Sequence, residues 1–129
     1  MMLKIASPKD IAIDEFGCAE TIFNIIQTAF GDMDEKILLS TTELYRKLKA
    51  HKKFQQVLDL EAGNVLISPT GYGNFQLTNG HTGIIGLNGK IMSADSATGL
   101  FMENYTIDSW IERYRKLGGF PMFVFKRVL

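Results

Sequence analysis

The dipeptide Asn88-Gly89 stands between two apolar runs, His81 to Leu87 and Lys90 to Ala94. Both residues tolerate positive φ, so the pair is a strong signal for an antiparallel hairpin. A hairpin fixes which side chains share a face, because successive side chains on a strand alternate. His81, Gly83 and Ile85 fall together on one face. A strict two-residue turn pairs Leu87 with Lys90 and adds Met92, Ala94 and Ser96 to that face. A three-residue loop with a bulge shifts the phase and adds Ser93 and Asp95 instead. Both registers are open at this point.

The rest of the chain supplies helices ahead of the hairpin and one after it. Residues 1–16 mix short apolar pieces with Pro8 and read as an extended lead-in. Cys18 to Phe30 reads as a helix, with Cys18, Ile22, Ile25, Ile26, Ala29 and Phe30 on one buried stripe. Ser40-Thr41-Thr42-Glu43 has the form of a capping box, opening a helix over roughly Thr41 to Lys53. Val65 to Ile67 is a short buried-strand signal, closed by Ser68-Pro69. Gly71 to Gly80 reads as a loop, and residues 95–105 as irregular. Thr106 can N-cap a helix through about Leu117, ended by Gly118-Gly119, and Pro121 to Val128 reads as a last strand. The order predicts an α+β fold in one domain over residues 1–129.

Charge and inventory exclude several function classes. Lys+Arg and Asp+Glu are 14 each, which removes the electrostatic drive of a general nucleic-acid binder. One Cys and two His, far apart, do not suggest a structural zinc site, and no cofactor is expected. There is no phosphate loop, dinucleotide fingerprint or Gly-x-Ser-x-Gly elbow. Lys4, Lys9 and Asp10 break any signal-peptide core, and no apolar run is long enough to span a membrane.

Two residues remain that carry chemistry. Cys18 follows Gly17 at the head of an apolar helix, where the helix dipole favours a thiolate. His81 opens a strand and is the candidate base, expected to meet Cys18 in a thiol–imidazole pair. Asp14, Glu15 and Glu20 act against the thiolate by charge. A third group must orient the imidazole. A carboxylate does this better than a hydroxyl, which favours Asp95, with Ser93 and Ser96 in reserve. Tyr72, Gly83 and Ser93 are the candidate substrate contacts. The competing readings are a buried structural cysteine, a turn aspartate, and a glycine that permits close packing. Arg46, Lys47, Lys49, Lys52 and Lys53 make one face of the second helix basic, suited either to solvent or to an anionic polymer.

The segments DEFGCAE, EAGNVLISPTG and GHTGIIGLNGKIMSADS together resemble the NlpC-type cell-wall cysteine peptidases and the related CHAP amidases. The likeness covers residues 14 to 96, with Asn64 where the family usually has Asp and Ala19-Glu20 where Ser-Gly is common. The resemblance implies a papain-like fold, Cys18 as nucleophile and His81 as base, with Ser93 at the family's usual third position. It implies hydrolysis of amide bonds in bacterial wall peptide, by a phage lysis or tail protein or a delivered toxin. Such a protein would stay cytoplasmic until released, or travel with a phage particle or secretion machinery. The alternative is a non-catalytic module on the same scaffold that binds wall material or another protein.

Overall fold

A computed structural model describes residues 14–33, 40–73, 79–95 and 98–128. The elements in order are α1 (Asp14–Phe30), α2 (Thr41–Ala50), β1 (Phe54–Val57), β2 (Val65–Ser68), β3 (His81–Ile85), β4 (Lys90–Asp95), β5 (Leu100–Thr106), α3 (Ile107–Trp110) and β6 (Phe123–Arg127). α3 continues in π-helical turns over Ile111–Leu117. The fold is α+β, as the sequence order predicts. The six strands of the described residues form one antiparallel sheet in the order β1-β6-β2-β3-β4-β5.

The sheet is covered on both faces. Ile22, Phe23 and Ile26 of α1 and Leu44 and Leu48 of α2 pack against Val65, Ile67, Ile84 and Met92 on one face. Trp110, Tyr114 and Phe120 pack against Leu66, Ile85 and Ile91 on the other. β2 is buried along its whole length, as a central strand covered on both sides must be.

Local chemistry explains the boundaries. Ser40 caps α2, its side chain accepting the Glu43 N–H at 3.1 Å. Thr42 Oγ1 then donates to the Thr70 carbonyl at 2.6 Å, tying the helix start to the end of β2. α2 ends at Ala50, three residues earlier than expected, and Phe54–Val57 is a short edge strand on β6. β5 was expected to be irregular. It lies at the other sheet edge and carries a bulge: Ile91 pairs with Tyr105 and Met92 with Glu103, leaving Asn104 as the extra residue.

The hairpin takes the three-residue form. Ile85 pairs with Ile91, and the Gly86 N–H donates to the Lys90 carbonyl at 2.7 Å. Leu87–Gly89 form the loop, with Asn88 at φ 60° and Gly89 at φ 72°. The strict two-residue register is therefore corrected, and Ser93 and Asp95 join the His81 face. Among the described residues, no helix is long and apolar enough to cross a membrane.

Candidate functional site

β3 enters through Gly80, where a Cβ would lie 2.0 Å from the Ser68 carbonyl oxygen. Only glycine fits there, and the next side chain, His81, is set opposite Ser68 in the sheet. Gly83 follows on the same face. A Cβ on it would stand 2.7 Å from the Met92 carbonyl oxygen and 2.8 Å from Ile91 Cγ2. β4 already fills that space, so Gly83 serves close packing and opens no room for a substrate, a correction to the sequence expectation.

The His81 ring holds a defined proton. Its Nε2 lies 2.9 Å from Ser93 Oγ, and Ser93 Oγ donates to Asn104 Oδ1 at 2.6 Å. A hydroxyl has one proton, so Ser93 accepts from His81 and Nε2 carries the hydrogen. Nδ1 is then the basic nitrogen. The hydrogen-bond partner of Nε2 is thus Ser93, not the favoured Asp95. Asp95 sits further along β4, where its Oδ2 accepts from Thr98 Oγ1 at 2.8 Å. Ser96, the other reserve, lies outside the described residues.

Aromatic rings roof the imidazole. His81 stacks on Trp110 at 5.4 Å and 26°, and on Tyr114 at 5.7 Å and 17°, with Tyr105 tilted at 5.8 Å. Trp110 is pinned by its own indole N–H, which donates to Ser68 Oγ at 3.0 Å. Burial pushes the His81 pKa down to about 4; the Arg113 charge lowers it further and Asp95 opposes. The ring is neutral at pH 7.

Cys18 belongs to α1, the helix on the other side of the sheet. It is buried on α1, which packs with Ala19 and Ile22 against the Ile84 and Met92 face. In β3 the residues turned toward α1 are Thr82 and Ile84, and alternation turns His81 away from it. The His81 ring therefore faces Ser93, Trp110 and Tyr114, not the helix that carries Cys18. The helix-head argument is corrected as well. α1 begins at Asp14, so Cys18 sits a full turn inside the helix, beyond the orphan N–H groups and most of the dipole effect.

Tyr72 is exposed and lines a cavity of about 590 Å³ with Arg115, Gly119, Phe120, Pro121 and Met122. It packs edge-on to Tyr45 and Phe123. Sequence reasoning missed Asn104, whose position depends on the β5 bulge, and His51. His51 Nε2 lies 3.1 Å from the Asp32 carbonyl oxygen, while Nδ1 accepts the Lys53 N–H at 3.1 Å. Among the described residues no group of His, Cys, Asp and Glu side chains is arranged to hold a metal. No protein-family model, curated protein or solved structure matches this chain.

Proposed function

We propose that this chain is a binding domain, not a hydrolase, on a scaffold similar to the cell-wall cysteine peptidases. One observation supports the reading: the His81 ring stacks on Trp110 and Tyr114 on one face of the sheet, while α1, the helix that carries Cys18, packs on the other. Nucleophilic catalysis needs thiol and imidazole within hydrogen-bond reach. The imidazole instead fastens β3 to β4 and β5 and seats the aromatic residues of α3 and the strand before it. The expected ligand is bacterial wall material, from the resemblance of residues 14 to 96 to wall enzymes.

A second reading, the cysteine amidase or peptidase, is favoured by the His81–Ser93–Asn104 relay. It orients the ring through Nε2 and leaves Nδ1 as the base, at the position where the resembled enzymes place their third residue. That reading requires Cys18 to reach the His81 face.

Incubation with purified cell walls, followed by sedimentation and mass spectrometry of the supernatant, separates the two. The binding reading expects the protein in the pellet, no released peptides, and the same result for Cys18→Ala. Release of wall peptides that Cys18→Ala abolishes overturns it in favour of the hydrolase.

A further inference from the structure

We infer that Tyr114 is an acid-released latch: protonation of His81 frees and unwinds the π-helical turns Ile111–Leu117 while the sheet beneath them stays folded. The device is independent of what the domain binds.

One side chain holds these turns down. Tyr114 is buried, Ile111 is half-buried, and Glu112, Arg113, Arg115, Lys116 and Leu117 are exposed. The Tyr114 ring lies on the His81 imidazole at 5.7 Å and 17°. Its hydroxyl meets that of Tyr105 at 3.3 Å, which is long for a bond between hydroxyls. The end of the turns is closed by the Gly118, Gly119 and Phe120 N–H groups, which donate to the Arg113, Arg115 and Tyr114 carbonyls at 3.1, 3.1 and 2.8 Å. A π stretch of seven residues is rare, and departures of this kind from the α pattern recur at functional sites.

α3, just ahead, is anchored separately. Thr106 and Ser109 form a capping box, and the Trp110 indole N–H donates to Ser68 Oγ at 3.0 Å. The change from α to π after Trp110 is therefore the joint at which the turns part from the anchored helix.

Protonation acts on this joint. Nε2 already donates to Ser93, so an added proton goes to Nδ1. Among the described residues, the charged and titratable groups around the ring are Asp95 of β4, Tyr105 of β5, and Arg113 and Tyr114 of the turns. β2 and α3 meet it with the neutral Ser68 and Trp110. Burial and the Arg113 charge oppose the imidazolium, and Asp95 favours it. As pH falls from 6.5 toward about 4, the closed form loses ground to any form in which water reaches the ring. Release of the turns does this with the loss of one buried aromatic side chain, and it carries the Arg113 charge away. Trp110 stays on Ser68, and its ring face attracts the imidazolium. Unfolding the sheet gives up both cores instead.

The test is amide hydrogen exchange of the full chain, followed by NMR and expressed as protection relative to the unstructured rate. Gly118, Gly119 and Phe120 report on the turns, and the β2 amides report on global unfolding. Local opening exposes little surface, so the turn amides should exchange faster than β2 and ignore low urea, while β2 responds to it. From pH 6.5 to 4 their protection should fall by roughly tenfold or more. His81→Gln, which stays neutral and can still donate to Ser93, should abolish that fall. Arg113→Gln, at an exposed position, removes one opponent of the imidazolium and should make the fall smaller; it decides the matter where His81→Gln does not fold. Turn amides that match β2 in rate and urea response overturn the latch, because the domain then opens only as a whole. Protection at the turns that does not change with pH, or a fall that persists in full in the variants, also overturns it.

Discussion

Ser93 Oγ accepts the Nε2–H of His81 at 2.9 Å and donates its own hydrogen bond to Asn104 Oδ1 at 2.6 Å. The chain of bonds links three neighbouring strands beneath a roof of Trp110, Tyr105 and Tyr114. It gives a buried imidazole one tautomer and one orientation.

Removing the acceptor leaves a buried donor unpaired. Ser93→Ala is expected to destabilise the fold by about 1–3 kcal/mol. Asn104→Ala, which strands the Ser93 hydroxyl, should cost a similar amount by the same logic. Urea unfolding checks both, and an unchanged midpoint for Ser93→Ala contradicts the relay.

The buried neutral histidine makes stability depend on pH. Its folded pKa of about 4 lies below the ordinary 6.5, so the unfolded chain binds the proton more readily. The stabilisation is complete above pH 6.5, declines as pH falls, and is lost by about pH 4. The contribution is roughly 3 kcal/mol at 1.36 kcal/mol per unit. Denaturation midpoints from pH 7 to pH 4 should drop steeply in the wild type and more shallowly in His81→Gln. Parallel curves would remove His81 as the cause.

Two neighbours move that pKa in opposite directions. Arg113 lowers it and Asp95 raises it. Arg113→Gln should therefore shift the His81 titration upward and Asp95→Asn downward, as followed by NMR of the ring Cε1 proton. Shifts of the opposite sign would mean the charges are not disposed around the ring as described.

Gly83→Ala places a methyl group against the Met92 carbonyl and Ile91 Cγ2. Overpacking of this kind costs about 1–3 kcal/mol. Thermal unfolding should show a clear loss; a neutral substitution would indicate an open space at Gly83 and revive it as a substrate contact.

Much of the fold was legible because its signals are local. Ser40 and Thr106 cap helices where the side-chain chemistry points. Asn88 and Gly89 take the positive φ values that make them a turn. The edge strands β1 and β5 were not legible. Phe54–Val57 has one buried residue facing the core, and the Asn104 bulge breaks the alternation of Leu100–Thr106. The site was half legible. Alternation with a three-residue loop places Ser93 beside His81, as the second register required. Which face α1 covers is a tertiary choice. It depends on Ile22 and Ile26 packing against Ile84 and Met92, and no motif around Cys18 encodes it.

The central claim is that Cys18 and His81 do not work as a pair, and the alkylation rate of Cys18 against pH tests it most directly. A buried thiol one turn inside α1, with the sheet between it and the imidazole, should react slowly at pH 6. His81→Gln should leave its rate unchanged at every pH. A fast plateau at pH 6 that His81→Gln abolishes would contradict the account and place the thiolate beside the imidazole.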